Sequence, residues 1–216
     1  QLHGRRVLHD ALVVAAISSD GPFGIGVHHG WRPIGDAMQV TSSAANRVYT
    51  LDDTPALDIY LRRLAAPAAC HTDPAAFTEF AVTHPLGIRR PSGEVVRFVG
   101  EADFTDRSLG CIAEVPQGGL AWFMTGDEET VLAATDAACT EALDQLGGAA
   151  PIGLLAFDCI ARRSVLGHDG IRQEVRRVAG HAGGAPVAGF YTYGEIARVR
   201  GIDGFHNQTL VVLALG

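Results

Sequence analysis

The order of its apolar segments limits this chain more than any motif does. Short runs with strand alternation follow one another across Gly and Pro turns, often with no helix between them. Residues 11–18 (ALVVAAIS) read as a buried strand closed by the turn Ser19-Asp20-Gly21-Pro22. Residues 24–31 then alternate, with Ile25, Val27, His29 and Trp31 on one face, and complete a hairpin. Residues 39–51 read as another extended pair. Residues 95–99, 110–115, 120–124, 152–161, 186–196 and 209–215 read as strands, the last one buried. A doubly wound sheet would need a helical crossover between parallel neighbours, so the pattern implies an α+β fold. Mixed or antiparallel sheets with helices packed on their outer faces fit it, an αββα sandwich being one such arrangement.

Four helices are predicted between these runs. Leu57, Tyr60, Leu61 and Leu64 have helical spacing behind Asp53 or Thr54 as cap, with Pro55 in the first turn. Asp73 caps a helix over 74–83 that turns Phe77, Phe80 and Ala81 inward. Thr125 and Glu128 have capping-box spacing. The helix behind them carries Val131, Leu132, Ala138, Cys139, Ala142, Leu143 and Leu146 on one face, has Thr135 as the one polar residue in that stripe, and ends at Gly147-Gly148. Residues 170–178 form a short fourth helix.

With 216 residues, 47% of them hydrophobic and 19% charged, the chain can bury one substantial core or two small ones. A net charge of −7 and no basic run longer than Arg162-Arg163 or Arg176-Arg177 argue against nucleic acid and anionic membrane surfaces as partners. The apolar runs are too short for a membrane helix and no signal peptide is present, so a cytoplasmic location is expected. Cys70, Cys111, Cys139 and Cys159 have no metal-ligand spacing and read as reduced thiols.

Several ordered motifs resemble the FIST sensory family, named from F-box and intracellular signal transduction. In the first part they are His29-Gly30-Trp31-Arg32-Pro33-Ile34-Gly35, Val40-Thr41, Asn46-Arg47-Val48-Tyr49 and Pro55-Ala56-Leu57 with Tyr60. In the second part they are Phe157-Asp158-Cys159 with Arg162 and Arg163, Gly189-Phe190-Tyr191-Thr192-Tyr193-Gly194-Glu195-Ile196, and Phe205-His206-Asn207-Gln208-Thr209. The chain looks like the end of a FIST N region (residues 1–65) joined to a complete FIST C domain (residues 66–216), packed as one unit. The resemblance implies a non-enzymatic sensory module for small ligands, amino acids or similar metabolites among them, whose readout lies in a signalling partner protein or in conformational change alone, with an oligomer possible. Some relatives resemble haem-dependent nitric oxide sensors, which makes haem the one cofactor to weigh. A protein-interaction scaffold and a Cys159- or His206-dependent hydrolase are the remaining readings. No nucleophile elbow or triad signature supports the hydrolase.

The candidate ligand-binding residues are Tyr191, Tyr193, Glu195, His206, Asn207, Arg162, Asp158, His29 and Arg32. Strand alternation through 186–196 places Tyr191, Tyr193 and Glu195 on one face, where two phenols and a carboxylate suit an ammonium group. The alternative is a solvent-facing stripe. His206 and Asn207 stand at the mouth of the final strand, as ligand contacts or as ties for the loop backbone. Asp158 interrupts an apolar strand and shares its parity with Arg162, which predicts an internal ion pair or a ligand clamp. Cys159 reads as an inert buried thiol. His29 lies on an apolar face, as either an axial haem ligand or a hydrogen-bonded core histidine would, and is the single candidate metal ligand. Arg32 follows in the same motif.

Overall fold

A computed structural model describes residues 1–90, 93–199 and 202–216. A short ribbon of β1 (Leu2–His3) and β2 (Arg6–Val7) precedes β3 (Phe23–His28), β4 (Arg32–Ala44), β5 (Arg47–Leu51), β6 (Thr54–Pro55) and α1 (Ala56–Arg63). A 3₁₀ turn at Ala68–His71 leads to α2 (Pro74–Ala81). The chain continues through β7 (Leu86–Arg90), β8 (Gly93–Arg97), β9 (Val99–Asp103), β10 (Ser108–Cys111), β11 (Leu120–Thr125) and α3 (Glu128–Asp144). It ends with β12 (Gly153–Cys159), α4 (Ile160–His181), β13 (Val187–Thr192), β14 (Glu195–Val199), β15 (Ile202–His206) and β16 (Leu210–Leu215). The fold class is α+β.

Two sheets organise these elements. The larger has eight strands in the order β8-β7-β11-β4-β5-β10-β9, with β6 on β5, and every pairing in it is antiparallel. Its core gathers Met38, Leu51, Leu57, Tyr60, Phe77, Leu86 and Phe123. Tyr60 is central: its ring meets Phe77, Phe80 and Phe123, and its hydroxyl donates to the His84 carbonyl at 2.6 Å. Each large side chain buried in this way contributes about 1.5–3 kcal/mol of hydrophobic stabilisation.

The smaller sheet runs β13-β12-β16-β3 and is mixed: β12 and β13 are parallel across α4, and the other pairs are antiparallel. Ala138, Cys139 and Ala142 of α3 pack on Leu210, Val212 and Ala214 of β16. The helix sits close because β3 presents Gly24 and Gly26, where a Cβ would collide with the Ala142 and Ala138 carbonyls. The sheet's other face is partly open: Phe190 is 64% exposed, and Phe23 is exposed as well. Phe157 meets the Phe190 ring edge-on there.

Several expectations need correction. Residues 11–18 form no strand, and Leu12 is 87% exposed. Apolar, β-branched composition does not make a strand without a neighbour to complete its ladder, and this run pairs with none of the described strands. The long strand over 186–196 breaks after Thr192, because Gly194 takes φ +101° and the chain folds back beneath Phe205. The α3 capping box is formed by Asp127 and Thr130, since pairing with β4 carries β11 through Thr125. Pro55 stands at the N-cap of α1 without a side-chain bond. Helix α4 starts directly after Cys159 rather than at 170, and bends at Gly167. Asp73 caps α2 as expected, its Oδ1 accepting from the Ala75 amide at 2.9 Å.

Candidate functional site, a charged cleft between the two sheets

The end of β3, the β7–β8 hairpin and β15 converge on a cavity of about 540 Å³. Its walls carry His28, His29 and His206, the guanidinium groups of Arg90 and Arg97, and the carboxylates of Glu94, Glu114 and Glu141. His29 Nδ1 accepts from the Trp31 amide at 2.9 Å, which fixes the proton on Nε2. Burial, then the charges of His28 and Arg162, lower its pKa to about 4 and keep the ring neutral. Burial also lowers the His206 pKa. Glu141 is held by His28 at 3.3 Å and accepts from the Val27 amide at 3.1 Å. Arg97 is only 4% exposed and donates to the carbonyls of Glu114, Val96 and Phe205 at 2.9, 3.0 and 3.1 Å.

Behind the cleft, at the junction of β12 and α4, lies a buried ionic network. Arg162, fully enclosed, ion-pairs with Asp158 and Glu174, donates to Thr135 Oγ1 at 2.9 Å, and reaches the His29 carbonyl at 3.5 Å. Arg162 Nε and Asp158 Oδ1 are 2.7 Å apart but poorly aligned for a hydrogen bond, so that contact is coulombic. One guanidinium cannot neutralise two buried carboxylates. Burial, opposed by Arg162 and reinforced by Glu174, raises the Asp158 pKa to about 8, so the contact with Arg162 becomes a full ion pair only as Asp158 gives up its proton.

Comparison with protein families settles the relationship. The FIST C domain matches residues 56–198 and the FIST N domain matches residues 1–54. The chain belongs to the FIST family. FIST domains are associated with sensory roles in signal transduction. No curated protein and no solved structure matches the chain.

In this FIST chain, His29 and His206 are the two sequence candidates that meet in the cleft. Asp158 and Arg162 form the predicted ion pair, but across a strand-to-helix junction rather than along one strand. Tyr191 lies opposite Asp158 in the β12–β13 ladder, with the Arg163 guanidinium 5.2 Å from its ring centre. The shared face of Tyr191, Tyr193 and Glu195 does not exist, because the turn at Gly194 resets strand parity. Tyr193 is 89% exposed in that turn. Glu195 points inward and accepts from Thr192 Oγ1 at 2.5 Å and Thr209 Oγ1 at 2.6 Å.

Asn207 is tied to backbone: its Oδ1 accepts from the Phe98 amide at 3.3 Å and its Nδ2 donates to the His206 carbonyl at 3.0 Å. Arg32 lies away from the cleft in an exposed pair with Asp127, the cap of α3. Burial and the Glu195 charge push the Cys159 thiol up to about 11, so it carries no thiolate at neutral pH.

For a haem, His29 would offer only Nε2. The cavity that His29 lines also carries Arg90, Arg97, Glu94 and Glu114, charges that an apolar macrocycle would strip of solvent. Among the described residues no group of three or more His, Cys, Asp or Glu side chains could hold a metal ion, and no helix is long and apolar enough to cross a membrane.

Sequence reasoning passed over Arg90, Arg97 and Glu174. Arg97 did carry a signal: it shares strand parity with Val95 and Val99, as Asp158 does with apolar neighbours, and a charge on a core-facing parity needs a partner. Glu174 carried a weaker one, the single carboxylate between Gly170 and Val178 on the buried stripe of its helix.

Proposed function

We propose that this chain is a small-ligand-binding sensory module whose ligand, an amino acid or similar metabolite, occupies the cleft between the two sheets. The observation that carries this reading is the cavity itself. Its volume of about 540 Å³ falls in the range of small-molecule sites, and it combines neutral histidines with charged groups of both signs. It also joins residues of the FIST N match (His28, His29) to residues of the FIST C match (Arg97), so a bound ligand would brace the two regions against each other. Bracing of this kind shifts a conformational population, which a signalling partner protein can read without any catalytic step.

Calorimetric titration with a panel of amino acids and related metabolites tests the proposal. His206→Ala is expected to weaken binding by about tenfold or more, equivalent to 1.4 kcal/mol. Glu195→Gln is expected to leave it unchanged, because Glu195 is bonded to Thr192 and Thr209. Binding that responds to Glu195 and ignores His206 would place the ligand elsewhere and sink the reading.

A second reading, a protein-contact scaffold, draws support from the open face of the smaller sheet and its neighbouring turn, where Phe190, Tyr193 and Ile196 are exposed. The volume and mixed charge of the cleft put the ligand reading ahead of it.

A further inference from the structure

Two guanidinium groups line the cleft with unused donors. Arg97 spends Nε and Nη1 on the three backbone carbonyls, while its Nη2 has no hydrogen-bond partner among the described residues. Arg90 Nε is buried and likewise unpartnered. Neither group has a carboxylate within ion-pair distance among the described residues. Burial, reinforced by repulsion from Arg90, lowers the pKa of Arg97. A guanidinium that is almost wholly buried is costly unless something neutralises it, and backbone carbonyls supply only dipoles.

The charges around the pair narrow the choice of counter-ion. Glu94, Glu114 and Glu141 also face the cavity, with His28, His29 and His206. Glu141 is already engaged by His28, and the field of Glu114 only partly offsets the charge on Arg97. A dianionic phosphate would meet three carboxylates in the same lining. A carboxylate carries one charge, presents two acceptor oxygens, and matches the unused N–H groups of Arg97 and Arg90.

We propose that Arg97, seconded by Arg90, is the anion anchor of the cleft and that the ligand it holds is a small carboxylate. The inference rests on the cleft being the ligand site, and it assigns that site's specificity-determining residue. The ammonium of an amino acid is not required by it; the carboxylate is.

The test uses the full chain at constant ionic strength, with propionate and succinate as probes and propionamide, succinamide and inorganic phosphate as controls. The ring resonances of His29 and His206 report on the cleft by NMR, and thermal melting reports stabilisation. A carboxylate probe is expected to shift both histidines saturably and to raise Tm, while the amides do neither. Arg97→Gln should weaken the carboxylate by about tenfold or more and Arg97→Lys by less, since lysine keeps the charge and loses the fork. Should Arg97→Gln fail to fold, Arg90→Gln carries the same test, because Arg90 Nε holds no hydrogen-bond partner among the described residues.

Amides binding as well as carboxylates, phosphate binding in their place, or carboxylate binding indifferent to both arginines would overturn the anion anchor and leave the cleft as the site. Silence of both histidines toward every probe, together with a panel ligand binding elsewhere, would overturn both readings.

Discussion

Arg162 and Arg97 are both buried guanidinium groups, and they are compensated in opposite ways. Arg162 is enclosed by two carboxylates and a threonine hydroxyl, all supplied by the chain itself. Arg97 faces a cavity and, among the described residues, is hydrogen-bonded only by backbone carbonyls. The first arrangement carries its counter-charges within the chain and ties β12 to α4 and α3. The second, offset in part by the field of Glu114, is the one that the proposed carboxylate ligand would complete. The difference separates a structural charge from a receptive one, even though burial alone would rank the two together.

The largest effect is expected from Arg162→Met. Removing the cation leaves Asp158 and Glu174 facing each other in the interior, so urea denaturation should show a loss of about 3–5 kcal/mol. A loss below about 1 kcal/mol would break the comparison, because hydrogen-bond losses alone cost that much. Arg97→Gln should cost less, about 1 kcal/mol, since the lost bonds to three carbonyls are offset by removing an unpaired buried charge. A loss matching that of Arg162→Met would make Arg97 a structural staple.

The pH dependence sharpens the contrast from the side of the network. Asp158 is raised from 3.8 to about 8 in the folded state, so the native protein binds more protons than the unfolded chain between those values. Its stabilising contribution is full below the unfolded value and disappears as pH rises through about 8. His29 works the other way: lowered from 6.5 to about 4, it favours folding above its unfolded value and loses that contribution as pH falls through about 4. Between about 4 and 6.5 the two slopes oppose and cancel, so stability should be flat there and fall as pH rises from about 6.5 to about 8. Asp158→Asn should remove the alkaline fall and uncover the His29 loss of stability between about 6.5 and 4, as followed by urea midpoints. An unchanged alkaline limb would mean that Asp158 is not the proton holder.

The smallest effect is expected at Cys159. With its thiol pushed to about 11, alkylation by iodoacetamide near neutral pH should proceed only through unfolding and should quicken in Arg162→Met. Rapid labelling of the native protein would show a looser junction than the network implies.

Much of the fold was legible in the sequence. The α2 cap at Asp73, the apolar stripe of α3 and the final strand follow from capping chemistry and local periodicity, which operate over a few residues. Thr135 stood out as the one polar position in its stripe, and it is the hydroxyl that meets Arg162 and Glu174. The failures share a cause. Residues 11–18 have strand composition but pair with no described strand, and alternation through 186–196 failed because one glycine at positive φ reversed the chain.

The site was less legible. His29 and His206 are far apart in sequence and on different elements, and only the packing of β3 near the β7–β8 hairpin and β15 brings them together. The sequence by itself determined the family, the α+β class and the presence of charges on core-facing positions, because motifs, periodicity and parity are local properties. Tertiary structure alone decided which of those charges are neutralised, because compensation depends on groups that meet across chain separations no local pattern records. Arg162 met its carboxylates there, and Arg97 met a cavity.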